Sequence, residues 1–231
     1  MPTLENLREQ LLEMADPAYR DFNARIIPNA GEMLGIRIPQ LRELARQIAR
    51  SDQWREFVAA TGCRYFEERM LHGLVIGYAR CPIEEKLDLV ARFVPRIDNW
   101  ALCDCFCWRL RASERGPMWR FIQPYFRATA EYDIRFAVVM ATGNFVDREH
   151  LAPLLERLGE CRCEAYYASM GVAWAVSVCF AKFPRETMEW LGKECPLDGQ
   201  TYNRTLQKII ESRRVSDTDK ALIRTMKRPV K

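Results

Sequence analysis

The chain has 231 residues, with 35 Lys and Arg against 31 Asp and Glu, a formal net charge of +4. That length suits one compact domain or one array of repeats, and a composition 48% hydrophobic and 29% charged excludes a disordered chain. Its two histidines, His72 and His150, sit in unrelated contexts, which argues against His-rich metal sites and a Ser–His–Asp triad; eleven scattered glycines supply no phosphate loop.

The N-terminal stretch MPTLENLREQLLEMAD carries acids early and lacks the apolar core of a signal peptide. Leu41, Leu44, Ala45 and Ile48 recur at helical spacing, and Pro39 suits the first turn of that helix. The same template fits Leu87, Val90, Ala91 and Val94, and then Leu151, Leu154, Leu155 and Leu158. Pro184 opens a further helix, while Pro28, Gly62, Pro82, Pro95, Gly116–Pro117, Pro153 and Pro196 punctuate the pattern. No segment shows sustained period-2 alternation, so the chain reads as all-α. Short joints and roughly a dozen helices of about 10–18 residues favour stacked antiparallel helix pairs over a four-helix bundle. No clean internal repeat is visible, so such an array is degenerate. No linker divides it, which makes 1–231 a single domain. No apolar run reaches the roughly 18 residues of a membrane span.

Nine cysteines stand at 63, 81, 103, 105, 107, 161, 163, 179 and 195. The odd count, inside apolar helical patterns, indicates reduced thiols in the cytoplasm. In a helix the C-x-C spacing of Cys103, Cys105 and Cys107 turns neighbouring thiols about 200° apart, and no C-x-x-C pair exists. These cysteines read as small buried hydrophobes, with no metal.

Charge is uneven. Residues 201–231 hold nine Lys and Arg against Glu211, Asp217 and Asp219, a net +6, and leave residues 1–200 at −2. Between 109 and 127 stand Arg109, Arg111, Arg115, Arg120 and Arg127 against Glu114 alone. Any one of these is most simply a solvated helix position, but two basic stretches in one array suit a surface that follows phosphates.

The most informative segment is Ile97-Asp98-Asn99-Trp100-Ala101-Leu102-Cys103-Asp104. Asp98 or Asn99 can cap a helix, placing Trp100 and Asp104 one turn apart on one face, with Trp108 extending the stripe. On residue types alone this is either a site or a packing tryptophan beside an interhelical salt bridge.

Taken in order along the chain, four places resemble the AlkD-like DNA alkylation repair glycosylases, a family of degenerate HEAT-like helical repeats. They are Leu34-Gly35-Ile36-Arg37-Ile38-Pro39-Gln40-Leu41-Arg42; Trp100 with Asp104; Arg135 within Ile134-Arg135-Phe136-Ala137; and Tyr166-Tyr167 followed by Trp174, Phe183-Pro184 and Trp190. The resemblance implies a superhelical array whose concave groove grips duplex DNA by its backbone and removes N3- and N7-alkylated purines. It implies Asp104 as the catalytic carboxylate, Trp100 and Trp174 as aromatic walls, and Arg135 as a phosphate contact. Arg109 and Arg111, from the basic run, are further candidates for the DNA. By themselves Arg135 reads as a snorkelling or acid-paired residue and Trp174 as core.

The implied chemistry suits these residue types. A cationic alkylpurine is already an activated leaving group, so no general acid is needed and few histidines suffice. One carboxylate can stabilise the oxocarbenium and place water. With no lysine near in sequence to form a Schiff base, the expected enzyme is monofunctional, cofactor-free and without lyase activity. It would act as a monomer in the cytoplasm on duplex DNA containing alkylated bases, without membrane or metal. The family is known for needing no base-specific pocket, and no sequence feature marks one here. Members often place basic residues four before and three after the second tryptophan. Met170 and Ser177 occupy those positions here, and the segment 201–231 is a candidate replacement. The cysteine-rich N-W-x-x-C-D-x-F-C motif suggests a distinct subfamily. The other class of function open to such an array is a non-catalytic scaffold binding nucleic acid or protein.

Overall fold

The computed structural model describes residues 4–162, 165–192 and 194–229, so Cys163 and Lys231 lie outside the described residues. Among these residues are fourteen α-helices, two short 3-10 turns and no strand. The chain is all-α, as the periodicity predicts, and its helix order is that of an α-solenoid of helix pairs. Its backbone contacts fall into two compact units that meet in sequence between Trp108 and Arg109.

The first unit holds α1 (Leu4–Glu13), α2 (Pro17–Ala24), α3 (Ile38–Arg50), α4 (Trp54–Ala59), α5 (Phe66–Tyr78), α6 (Ile83–Phe93) and α7 (Trp100–Phe106). Its centre is α5, which packs against α3, α4, α6 and α7. The sequence explains why: Met70, Leu71, Leu74, Val75 and Ile76 leave α5 apolar on nearly every side, so it is buried all round. Gly73 lets the Phe93 and Phe106 rings approach where a Cβ would stand only 3.0–3.1 Å from them. Even the two acids at the head of α5 are buried, Glu68 pairing at 2.6 Å with Arg8 of α1.

The second unit holds α8 (Ala112–Ile122), α9 (Glu131–Asn144), α10 (Leu151–Glu160), α11 (Tyr166–Lys182), α12 (Pro184–Gly192), α13 (Gly199–Glu211) and α14 (Asp217–Thr225). Here α11 is central, against α9, α10, α12 and α13. In both units alternate helices are neighbours, α3–α5–α7 and α9–α11–α13. Stacked helix pairs produce this pattern because each pair buries its apolar face on the next.

Two local expectations need correction. Gly116–Pro117 does not interrupt the chain, because α8 runs through it. Pro117 is the sixth helical residue and forfeits one bond to Ser113, which the helix tolerates within its packed surroundings. Trp108 does not continue the α7 stripe. The helix stops at Phe106, Cys107 turns to extended geometry (ψ 123°), and Trp108 packs near Gly77, Phe106 and Lys86.

The cysteines divide between core and half-buried positions. Cys103, Cys179 and Cys195 are buried, while Cys63, Cys81, Cys105, Cys107 and Cys161 are partly covered, and none is in a disulfide. Burial pushes the Cys179 thiol up to about 12.

His72 is wholly buried on α5, edge-on to Phe57 at 4.7 Å and 3.8 Å from the Cys63 sulfur. Burial, aided by the charge of Arg96 and opposed by Glu68, lowers its pKa to about 4. The unfolded chain therefore holds a proton between about pH 6.5 and 4 that the folded chain refuses, so stability falls as pH drops through that window. Chemical denaturation at pH 7 and pH 4 should show the wild type losing roughly 2–3 kcal/mol more than His72→Phe. Equal losses would contradict a neutral buried imidazole.

Candidate functional site

The segment before α7 is held by a small polar network. The Asn99 side chain caps the helix by accepting from Leu102 N–H at 2.9 Å, which settles the cap on Asn99. Asn99 donates in turn to Asp98, whose carboxylate accepts from Arg69 at 2.7 Å. Arg69 also donates to the carbonyls of Asn29 and Ala30. The Trp100 indole N–H donates to the Ile26 carbonyl at 3.0 Å, which fixes the ring. Trp100 and Asp104 then stand one turn apart, both partly exposed, on the wall of one cavity of about 220 Å³.

The rest of that wall comes from α2, α5 and the loop before α3. Tyr19, Asn23, Ile27, Ile36, Phe66 and Met70 contribute, together with Gly35. Two separate sequence features, the Leu34–Arg42 element and the Trp100/Asp104 pair, therefore meet at one place within the first unit.

The loop between them is built on a residue that the sequence reading passed over. Glu67 is 2% exposed, and its carboxylate accepts from three consecutive backbone N–H groups, Leu34 at 3.0 Å, Gly35 at 2.8 Å and Ile36 at 3.3 Å. On the other side, Asp16 N–H donates to the Leu34 carbonyl, and the Asp16 side chain caps α2 while accepting from Arg37. Capping by Tyr19 N–H, then the Arg37 hydrogen bond, holds the Asp16 carboxyl below its usual range despite partial desolvation. Gly35 has φ +84°, and any Cβ there would run into the Asp16 carbonyl and the Arg20 backbone, so the approach of α2 to this loop requires glycine. A signal for Glu67 existed in the sequence: an acid heading a helix that is apolar on every face cannot avoid burial.

The second unit carries the remaining predicted residues. Trp174, read from residue types as core, is 42% exposed on α11, as is its neighbour in the motif, Tyr166, at 54%. Arg135 is 9% exposed, and its guanidinium donates to the Tyr167 carbonyl at 2.7 Å, linking α9 to α11. Of the two positions where family members often carry basic residues, Ser177 is buried and donates to the Trp174 carbonyl. Trp54 is buried, Trp119 contacts Phe145 and His150, and Trp190 lies beside Gly159.

Several arginines of the 109–127 run are ion-paired: Arg111 with Glu114, Arg115 with Asp147, Arg127 with Glu160. The Arg127 and Arg157 guanidiniums hold Glu160 down at about 2. In the C-terminal segment, Arg204 lies on the Tyr166 ring and Arg228 on the Tyr202 ring, 5.1 and 3.7 Å from the ring centres. Arg109 is exposed and donates to the Gly143 carbonyl. It lines a second cavity of about 350 Å³ with Arg115, Lys182 and Arg214, against Asp147 as the acid of that wall. Arg115 and Lys182 are tied to the Asn144 and Val146 carbonyls at the end of α9. The sequence pointed to Arg109 and Arg111, whereas the structure gathers Arg109 with Arg115 of the same run and with Lys182 and Arg214 from distant segments.

The chain is an all-α protein of stacked helix pairs, with a tryptophan–carboxylate cavity in its first unit and a cationic one in its second. The model of the family described as DNA alkylation repair enzyme matches residues 7–153, and the chain belongs to that family. The match covers Gly35, Trp100, Asp104 and Arg135, while Trp174 and the basic C-terminal segment lie beyond it. Comparison with curated proteins and with solved structures gave no match. A DNA repair role, with DNA as partner, follows from the family. No helix among the described residues is long and apolar enough to cross a membrane.

The Glu67 cradle makes a direct prediction. Glu67→Ala leaves three buried amides without an acceptor, which should cost about 2–4 kcal/mol in urea denaturation. An unchanged midpoint would show that the loop does not depend on the carboxylate.

Proposed function

We propose that the chain is a monofunctional DNA N-glycosylase that hydrolyses the glycosidic bond of cationic N3- and N7-alkylated purines in duplex DNA. The observation that carries this reading is the placement of Trp100 and Asp104 on one cavity whose described lining includes no lysine or arginine. An acid-bearing wall next to an aromatic face favours positive charge, both that of the lesion and that which develops on the sugar.

The step balances simply. The C1′–N bond breaks heterolytically, and its electron pair neutralises the cationic base, which leaves without being protonated. The sugar becomes an oxocarbenium facing Asp104, water adds to C1′, and the carboxylate or solvent takes the released proton. At about 4 Å and an effective dielectric near 20, a carboxylate–cation pair is worth on the order of 4 kcal/mol before desolvation. The Trp100 indole face adds roughly 0.5–2 kcal/mol for a cation. In this reading the protein works as a cytoplasmic monomer without a cofactor.

The cationic cavity of the second unit supports the reading from the side of the DNA backbone. Arg109, Arg115, Lys182 and Arg214 outnumber Asp147 there, and an exposed guanidinium such as Arg214 suits a phosphodiester oxygen. Arg135, engaged with the Tyr167 carbonyl, would contribute to the phosphate field through charge and by keeping α9 and α11 in register.

Two measurements check this. Single-turnover release of 7-methylguanine from methylated duplex should fall about 100-fold or more in Asp104→Asn, with DNA affinity kept. Release at the spontaneous rate by both proteins, with binding intact, would instead indicate a non-catalytic DNA-binding array. Arg214→Gln should weaken binding about equally for all sequences and make the salt dependence shallower by about one ion. An unaltered salt slope would remove Arg214 from the phosphate contacts.

A further inference from the structure

The solvent face of α11 is a single uncharged stripe. Tyr167, Met170, Trp174, Val178 and Ala181 recur every three or four residues, each at least partly exposed, and the residues between them are buried. They follow one line along the helix for about 21 Å. Trp174 stands near the middle as the largest exposed side chain of the row. At the first end, Tyr167 stacks on Tyr132 of α9 with ring centres 6.1 Å apart, and the exposed Tyr166 stands edge-on to Tyr167 at 5.2 Å. At the far end, Val178 and Ala181 are also wall residues of the cationic cavity, beside Lys182, Arg109, Arg115 and Arg214. An aromatic track therefore runs into a cluster of cations, wholly within the second unit.

A duplex gains little from such a track, because it turns its phosphates outward and keeps the faces of its bases inside the stack. An unpaired strand does the opposite. Its bases offer flat faces that stack on aromatic side chains whatever the sequence, while cations alongside hold its phosphates.

We propose that the second unit binds unpaired DNA, with bases stacked on Trp174 and the Tyr166–Tyr167 rings and phosphates held at the Lys182, Arg109 and Arg214 end. The inference takes DNA as partner from the family and shares the cationic cavity with the excision reading, but it needs neither Asp104 nor base release. The charges around the track give the strand a direction. Glu131, whose carboxylate accepts from Tyr167 N–H, and the half-buried Asp133 flank Tyr132 and repel phosphate at that end. Exposed Lys182 and Arg214 attract it at the other. Met170 stands where family members often carry a basic residue, and here it offers apolar surface to a base in place of a phosphate contact.

The test uses the full-length protein and fluorescein-labelled oligothymidylate of about 15 nucleotides, read by anisotropy, against an undamaged duplex and an abasic strand of the same length. Binding by charge alone favours the duplex, whose charge density is higher. Stacking predicts the opposite order, with oligothymidylate bound several-fold more tightly than the duplex. It should also bind about tenfold more tightly than the abasic strand, which keeps the phosphates and has no base to stack. Trp174→Ala should weaken oligothymidylate binding about tenfold with its salt dependence unchanged, and Trp174→Phe should recover most of the loss. Arg214→Gln should instead lower the log–log salt slope by about 0.7.

The proposal is overturned if the duplex binds as tightly as oligothymidylate or more so, if the abasic strand binds equally well, if Trp174→Ala weakens single strand and duplex alike, or if no strand binds. The abasic comparison is made on the wild type, so it decides the matter even where a variant does not fold. Release of 7-methylguanine from duplex alongside any of these results would leave the glycosylase reading standing and remove the stacking track. Base-dependent binding of oligothymidylate without release would do the reverse.

Discussion

Everything near the candidate site depends on one buried carboxylate. Glu67 lies at the head of the most deeply buried helix of the first unit and holds three successive amides of the loop that precedes α3. A carboxylate in that position is costly to bury and is stabilised only because those amides converge on it. In return the loop is fixed, Gly35 can lie against α2, and Tyr19 and Asn23 are carried to the cavity that Trp100 and Asp104 complete from α7. A site assembled from four chain segments thus has one internal anchor.

The helix class was plain in the sequence because apolar spacing in α3, α6 and α10 is strong and strand alternation is missing. The alternate-helix packing followed from the number and shortness of those helices. Two boundaries were not legible. Pro117 looked like a break, but α8 absorbs it, because the cost of one lost hydrogen bond is small beside the burial of Met118 and Ile122. Trp108 looked like a continuation of α7, yet helical spacing cannot reveal that the chain turns at Cys107.

For the site, the pairing of Trp100 with Asp104 was legible because it is local, one helical turn. The cavity was not, since it needs Gly35, Tyr19 and Glu67 brought together from far along the chain. The cationic cavity was obscure for the same reason: Arg109 stood out within a basic run, but Lys182 and Arg214 become its neighbours only through the ends of α9 and α11. Conversely, net charge overstated the C-terminal segment, where Arg204 and Arg228 lie on tyrosine rings and serve packing. Arg135 illustrates the limit most clearly. Its place in an apolar helix fits both a phosphate contact and a strap, and the Tyr167 carbonyl shows the strap.

Membership in the DNA alkylation repair enzyme family supplies the partner, and the acid-lined aromatic cavity supplies the proposed chemistry. The central claim is that charge on the leaving base replaces acid catalysis. Its most direct test is one duplex carrying both a 7-methylguanine and a uracil, incubated with excess wild-type protein, with released bases resolved by chromatography. The account predicts release of 7-methylguanine well above the spontaneous rate and no release of uracil. Efficient uracil release, or methylguanine release no faster than without protein, would contradict it.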